Sequence, residues 1–252
     1  MNNQNKVEAY KIQVNASIND AEKKISRMDW RLREHPGPSG VVQRNFLNNI
    51  CSIQNAVYLE LGAYRGVTSI SAVSHNDTAK GYCVDNFKFD QFNIKKEVPE
   101  EGFGNIINGL RDNIKRYKVE DQLTILHSDI EDLNLEDIKE KVDIIFYDCP
   151  MGESSIVTEH LSKVLPSLDD VFILIIGYFN NVNVTRKGVD DFIKNQKLIN
   201  HFKETKASQS TGDSIKWWAG MGIFILEKVK VEITLPKKVI TLPTKKANNN
   251  VK

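Results

Sequence analysis

The stretch YLELGAYRGVTSI (residues 58–70) changes from the pattern of a buried strand to that of a helix within a few residues. Apolar side chains flank Glu60, and Gly62 and Gly66 then bracket a short loop. Gly62 lets the backbone turn sharply, and Gly66 permits a close approach where the helix begins. In open parallel sheets, ligands bind beyond the carboxyl ends of the strands. The stretch therefore predicts a first strand and the loop that contacts a ligand.

Strand and helix patterns alternate along most of the remaining chain. Strands are predicted at 57–61, 81–84, 123–126, 142–147, 171–176, 202–206 and 222–227, and helices at 67–75, 103–117, 135–141, 154–168 and 188–200. The near-continuous apolar character of 171–176 is typical of a central strand. This alternation predicts a doubly wound, Rossmann-like α/β fold with a mostly parallel sheet that helices cover on both faces.

The two ends of the chain do not follow this alternation. Residues 1–16 are polar and rich in Asn and Gln, so we expect them to be mobile, with a helix at 19–33. The cluster HPGPSG (35–40) should separate this leader from the main domain. Residues 231–252 are rich in Lys, Pro and Asn and should be extended or disordered, although VEITL (231–235) could pair as an edge strand. The predicted divisions are a leader (1–40), a ligand-binding domain (41–230) and a tail (231–252).

Composition narrows the setting in which the chain works. Of its 252 residues, 40% are hydrophobic and 27% charged, and the net charge of +1 favours neither nucleic acid nor a membrane surface as a partner. No apolar run reaches the roughly 18–20 residues that a membrane-spanning helix needs, and the first residues do not resemble a secretory signal. The three cysteines form no CxxC pair, which favours buried thiols and a cytoplasmic protein. A homodimer is left open.

Polar residues follow each of the first four predicted strands. Glu60 precedes the glycine loop, and its E-x-G-x-x-x-G spacing differs from the pyrophosphate-binding G-x-G-x-x-G, so it favours a ligand with a cationic end. Asp85 follows the second strand, where a carboxylate can accept both hydroxyls of a ribose. Ser128 and Asp129 follow the third strand and could contact an adenine ring, and Asp148 follows the fourth. We expect these side chains to converge on one crevice.

Each of these carboxylates also has a simpler structural interpretation. Glu60 could cap a helix or form a salt bridge beside a structural turn. Asp85 lies in a turn-like sequence, and Asp129 lies where a helix cap would fit. Asp148 could be a structural carboxylate.

Three stretches, YLELGAYRGVTSI, GYCVDNF and VDIIFYDCP, resemble the class I S-adenosylmethionine-dependent methyltransferases over residues 56–228. The resemblance is strongest to the macrocin-type O-methyltransferases of sugars and small molecules. It implies S-adenosylmethionine as cofactor and a seven-stranded sheet whose last strand is antiparallel. It places the Gly62 loop near the methionine part, Asp85 on the ribose and Asp148 next to the reacting centre. The expected cofactor-binding residues are Glu60, Gly62, Ala63, Tyr64, Gly66, Asp85, Asn86, Ser128, Asp129 and Asp148.

Two departures from the family pattern concern a metal. Such relatives often carry a second carboxylate just after strand five, where this chain has Gly177 in ILIIGYFNN. They also often read D-G-D-H after strand four, where this chain reads DCPMGESS. A single carboxylate is a poor site for a hard cation that binds several oxygens. We therefore predict that no metal is bound.

The sequence thus predicts an enzyme that methylates an oxygen of a small acceptor, for which the resemblance suggests a carbohydrate. Asp148 is the predicted catalytic residue, acting as the base that takes the hydroxyl proton. The alternative is a non-catalytic methyltransferase-like domain that acts as a binding or partner protein, which the missing second carboxylate favours. An NAD-dependent oxidoreductase is disfavoured by the Glu60-containing loop and by the lack of a Tyr-x-x-x-Lys relay.

Overall fold

The computed structural model of the chain describes residues 2–88, 106–149, 153–179, 183–207 and 216–229. The strands are β1 (Val57–Leu61), β2 (Lys80–Asp85), β3 (Leu123–His127), β4 (Val142–Tyr147), β5 (Leu168–Gly177), β6 (Ile199–Lys206) and β7 (Met221–Glu227). The helices are α1 (Asn3–Glu22), α2 (Arg31–Glu34), α3 (Val41–Ile50), α4 (Val67–Val73), α5 (Ile106–Tyr117), α6 (Ser154–Val164) and α7 (Asn183–Asn195). Short 3-10 turns lie at Leu135–Asp137 and Leu165–Ser167.

The described strands form one seven-stranded sheet in the order β3-β2-β1-β4-β5-β7-β6. Strands β1 to β5 pair in parallel, and β7 is antiparallel to both β5 and β6. The Rossmann-like fold, the seven strands and the antiparallel last strand are therefore confirmed. Strand order reverses between β1 and β4, and such a switch point opens a crevice at the carboxyl ends of the strands.

Alternating side chains of the central strands supply two separate cores. Tyr58 and Phe146 face the core that contains α1, α3, α4 and α5. Leu59 and Tyr147 face the core that contains α6 and α7. Because β1 and β4 are buried on both faces, a ligand can reach them only at their ends, which is where the polar residues of the sequence lie.

The N-terminal residues are folded, so the prediction that residues 1–16 are mobile is wrong. Helix α1 buries Val7, Val14 and Ile18 at helical spacing, while polar residues such as Glu8 and Asn15 are exposed. Two side chains also anchor the helix to the sheet. Lys6 Nζ lies 3.0 Å from Asp143 Oδ1, and Tyr10 OH donates to the same oxygen at 2.8 Å. The anchoring carboxylate lies far along the chain, which is why composition alone misled the prediction.

The predicted helix at 19–33 is wrong as well. Helix α1 ends at Glu22, and Lys24 has a positive φ of 59°, which stops helical continuation. Residues 23–30 are not helical, and the four-residue helix α2 begins only at Arg31. Smaller differences are that α7 begins at residue 183 rather than 188, that β5 begins at 168, and that the helix predicted at 135–141 is a single 3-10 turn.

The predicted tail (231–252) and the start of the predicted helix at 103–117 lie outside the described residues. The three-part domain division stays a prediction. None of the helices described in the structure combines the length and the apolar character that crossing a membrane requires.

Candidate functional site

A cavity of about 330 Å³ lies at the carboxyl ends of β1, β2 and β4, where the strand order reverses. Most of the residues that the sequence assigned to a cofactor site line it. These are Gly62, Ala63, Tyr64, Gly66, Asp85, Asn86 and Asp148. Glu60, Ser128 and Asp129 are not part of its lining.

The glycine loop after β1 needs both of its glycines. Gly62 has a φ of +92°, and a Cβ at this position would lie 2.8 Å from the carbonyl oxygen of Asp148. Gly66 has a φ of +74° at the start of α4, and a Cβ there would overlap Leu110 Cδ1. Tyr64 also has a positive φ, of 49°. The loop is therefore held in a conformation that few other sequences adopt.

Asp85 ties this loop to the end of β2. Its Oδ2 accepts the backbone N–H of Tyr64 at 2.8 Å, and its Oδ1 accepts that of Phe87 at 2.6 Å. Each carboxylate oxygen can accept more than one hydrogen bond. Because the half-buried Asp85 lines the cavity, its remaining lone pairs are available to hydroxyl groups of a ligand.

Glu60 lies behind the cavity wall and is fully buried. Its carboxylate accepts hydrogen bonds from Tyr58 OH at 2.9 Å, from Ser69 Oγ at 2.5 Å and from the Thr68 hydroxyl. Burial raises the pKa of Glu60 to about 7, against the effect of these three hydrogen bonds and with a contribution from the charge of Asp85. Glu60 thus fixes the start of α4. Its direct contact with a ligand stays a prediction.

Ser128 and Asp129 support the segment after β2 from outside the cavity. Asp129 accepts from Asn86 Nδ2 at 2.5 Å and from Lys88 Nζ at 2.9 Å, and these bonds lower its pKa. The Ser128 N–H donates to the carbonyl of Asp85 at 3.1 Å. Both residues therefore position 85–88, and their contact with an adenine ring stays a prediction.

Gly177 stands where the resemblance puts a second carboxylate, and the carboxyl group of Asp148 lies beside it. A Cβ on Gly177 would fall on Asp148 Oδ1, so any other residue at position 177 would displace this carboxyl group from its present position. Burial, together with the charge of Glu60, raises the pKa of Asp148 well above its usual range. Tyr178 lines the same side of the cavity, and burial and the nearby Asp148 raise its pKa to about 12.

The described residues contain no group of three His, Cys, Asp or Glu side chains that could hold a metal ion. His160, a histidine of α6 that could carry a proton, lies on the core side of that helix. Its Nδ1 lies 3.1 Å from Tyr147 OH and its Nε2 lies 2.7 Å from Glu131 Oε1. It is not part of the cavity lining.

One wall of the cavity could not be predicted from the sequence pattern. Pro38 and Ser39, from the cluster that was expected only to separate leader and domain, line it. Arg44 holds them in place from the first turns of α3. The sequence does hold one indication of this wall. Arginine is rarely buried, and Arg44 lies within the amphipathic stretch VVQRNFLNNI, directly after the cluster HPGPSG.

The fold, with a cavity at this position, has the architecture of the class I methyltransferases. No protein-family model and no curated protein matches the chain. Among solved structures, it is similar to a provisionally assigned RNA methyltransferase from Pyrococcus horikoshii, with 15% identity over 87% of this chain and 100% of that one and a TM-score of 0.50.

Two further solved structures have the same TM-score of 0.50. The O-methyltransferase from Bacillus cereus, solved in complex with SAH, has 18% identity over 84% of this chain and 91% of its own. A provisionally assigned O-methyltransferase from Klebsiella pneumoniae has 14% identity over 86% of this chain and 90% of its own. At identities this low, the structural similarity establishes the fold and leaves the substrate open.

Proposed function

We propose that the protein is an S-adenosylmethionine-dependent methyltransferase that acts on an oxygen of a small acceptor. The observation that carries the proposal is the convergence of the glycine loop, Asp85 and Asp148 on one cavity at the switch point of this sheet. The Bacillus cereus relative in fold was solved with SAH, the product form of this cofactor, which supports the same choice of cofactor.

The residues present fit the parts of this cofactor. A cavity of about 330 Å³ is at the lower end of the range for small-molecule sites. The free lone pairs of Asp85 suit the two ribose hydroxyls, and the loop from Gly62 to Gly66 offers close backbone approach to the rest of the molecule. A cationic sulfur beside Asp148 would favour the ionised form of this carboxyl group, whose pKa burial otherwise raises. When bound, the cofactor would supply a methyl group activated by a sulfonium.

The chain's own residues would mainly align and deprotonate the acceptor. Methyl transfer needs the acceptor oxygen held in line, and alignment of this kind can supply much of the rate enhancement. Asp148 would accept the hydroxyl proton, and its raised pKa makes it a stronger base than an ordinary carboxylate. Tyr178, on the same wall, would contact the acceptor side of the site.

The acceptor class rests on weaker support than the cofactor. A carbohydrate acceptor comes from the sequence resemblance to the macrocin-type enzymes. One relative in fold is provisionally assigned to RNA, but the net charge of +1 gives no electrostatic reason to favour nucleic acid. A non-catalytic partner protein is the second candidate, because Asp148 has no companion carboxylate at position 177.

Calorimetry with S-adenosylmethionine, S-adenosylhomocysteine and NAD tests the proposal. We expect micromolar binding of the first two, on the order of 8 kcal/mol, and none of NAD. Binding of NAD alone would contradict the proposal. A transfer assay with small sugars and with bulk RNA then separates the two acceptor classes, and cofactor binding without any transfer would favour the partner protein.

A further inference from the structure

Two cationic side chains line the cavity, Arg65 from the loop after β1 and Lys88 from the segment after β2. Lys88 is exposed, and its Nζ lies 2.9 Å from Asp129 Oδ2, so its charge is already paired. Arg65 is half-buried. Within the part of the chain that the structure describes, its guanidinium group forms neither a hydrogen bond nor an ion pair. Arg65 therefore brings unpaired positive charge to the lining of the cavity.

The Nε of Arg65 is buried and has no hydrogen-bond partner among the described residues. Nearly all buried polar groups in proteins are hydrogen-bonded, because a group that loses its bonds to water without replacing them is costly. The planar guanidinium group presents its donors as a fork that fits two oxygens of a carboxylate or a phosphate. An unpaired arginine in a cavity wall thus indicates a ligand that carries an anionic oxygen group.

The side chain of Arg65 lies against α5. A Cβ on Gly109 would lie 3.5 Å from the Cγ, the Cδ and the Nε of Arg65, and Asn113 Nδ2 donates to the carbonyl of Arg65 at 3.0 Å. The proposed cofactor site instead uses Asp85 and Asp148, which follow β1's two neighbours in the sheet, and the backbone of the glycine loop. The side chain of Arg65 is therefore left for the second ligand of the reaction, the acceptor.

The surroundings of Arg65 on this side of the cavity are basic as well. His35, in the turn before α3, has its Nδ1 2.9 Å from the hydroxyl of Tyr117 at the end of α5. Burial lowers the pKa of His35, and the charges of Arg44, Arg116 and Arg65 lower it further, so three arginines lie near this ring. Clustered positive charge at the edge of a cleft attracts anions.

We propose that the acceptor carries an anionic oxygen group, a phosphate or a carboxylate, and that Arg65 binds this group. The inference rests on the proposed function, because it concerns the acceptor of that reaction. It narrows the acceptor from any small molecule with a hydroxyl group to an anionic one, such as a sugar phosphate or a sugar acid. Arg65 would hold the anionic end, and Asp148 would face the hydroxyl that receives the methyl group.

Calorimetry on the wild-type chain saturated with S-adenosylhomocysteine tests this with four probes: inorganic phosphate, D-glucose 6-phosphate, D-glucuronate and D-glucose. We expect at least one anion to bind in the millimolar range and D-glucose to bind at least about tenfold more weakly. Comparison of glucose 6-phosphate with glucuronate shows whether the site favours a phosphate or a carboxylate. If no anion binds in the millimolar range, or if glucose binds as well as the anions, the inference is wrong.

The variant Arg65→Met should weaken binding of the anion by about tenfold or more and leave the affinity for S-adenosylhomocysteine unchanged. Because the variant removes no side-chain hydrogen bond of the described structure, we expect it to fold, and thermal melting checks this. Arg65→Lys keeps the charge without the fork and should show a smaller loss. Arg111→Met is the matched control, since Arg111 is exposed on α5 outside the cavity lining, and it should change neither affinity.

Two results would assign the cations differently. If Lys88→Met abolishes anion binding while Arg65→Met binds normally, the anion binds to Lys88 and the inference is wrong. If Arg65→Met weakens binding of S-adenosylhomocysteine as much as that of the anion, Arg65 serves the cofactor and the inference is wrong as well. Failure of the wild-type chain to bind S-adenosylhomocysteine would instead overturn the proposed function, so the two failures are distinguishable.

Discussion

Two walls of the cavity, one at the strand ends and one at the turn before α3, are built in opposite ways. The acidic wall consists of side chains at the ends of separate strands, and Asp148 is placed there by the absence of a side chain at Gly177. The second wall belongs to the turn at 32–39, whose backbone carbonyls surround Arg44, a residue outside the cavity lining. The acidic wall is therefore sensitive to small changes in volume, whereas the turn at 32–39 is sensitive to the loss of one group of hydrogen bonds.

The largest effect is expected from the carboxyl group of Asp148. Asp148→Asn keeps the shape that fits beside Gly177 but removes the proton acceptor, so methyl transfer should fall by about 10²- to 10⁴-fold. Steady-state kinetics with a working acceptor measures this. Asp137→Ala, at an exposed position outside the cavity lining, is the control. Full activity of Asp148→Asn would remove Asp148 from proton transfer.

The second largest effect is expected at Gly177, beside which the carboxyl group of Asp148 lies. In Gly177→Ala the new methyl group would displace the Asp148 carboxyl, and the misplacement should lower kcat by about 10- to 100-fold. Gly109→Ala is the matched control, because a Cβ there makes only an ordinary contact, at 3.5 Å from Arg65. If Gly177→Ala transfers methyl groups at the wild-type rate, the acidic wall is more adaptable than we infer.

The ribose end of the acidic wall is tested by two aspartates with different surroundings. Asp85→Ala should weaken S-adenosylmethionine binding by roughly 1–3 kcal/mol, because it removes charged hydrogen bonds to the ribose. Asp129→Ala should cost at most about 1 kcal/mol, because it breaks an exposed pair with Lys88 and a hydrogen bond from Asn86 but removes no group from the cavity lining. Equal losses in calorimetry would mean that Asp129 contacts the ligand directly.

Glu60 should make the stability of the fold depend on pH. Its pKa is about 7 in the fold, above its usual value of 4.5, so the folded protein holds this proton more tightly than the unfolded chain does. This contribution to stability is full below pH 4.5 and is lost as the pH rises towards 7, by up to about 1.4 kcal/mol per pH unit. Thermal melting of wild type and Glu60→Gln across this range should show a steeper decline in wild type, because Asp148, whose pKa is also raised, contributes in both proteins. Parallel curves would contradict the assignment.

The smallest expected effect concerns metals. Because Gly177 stands where a second carboxylate ligand would be needed, we predict that chelation leaves turnover unchanged. A complete loss of turnover with EDTA that Mg²⁺ restores would show that the site recruits ligands we have not identified.

The strand ends could be predicted from the sequence because topology alone brings them together. Asp85 and Asp148 follow buried strands, and parallel neighbours must end at the same edge. Which side chains reach the cavity could not be predicted in the same way. Glu60 turns inward to meet three hydroxyl groups, and Asp129 turns outward to Lys88.

The turn at 32–39 and α1 depend on partners that the sequence pattern does not show. Arg44 binds backbone carbonyls, which have no sequence signature. Helix α1 is held by Asp143 through Lys6 and Tyr10, more than a hundred residues away along the chain. Polar composition therefore indicated a mobile leader where the fold has an anchored helix.

The most direct test of the account is a crystal structure of the chain with S-adenosylhomocysteine. We predict that the ligand occupies the cavity, with its ribose hydroxyls about 2.7–3.2 Å from the Asp85 carboxylate and its amino-acid part along the Gly62–Gly66 loop. A ligand bound elsewhere, or one in the cavity whose ribose makes no contact with Asp85, would contradict the assignment of this cavity as the cofactor site.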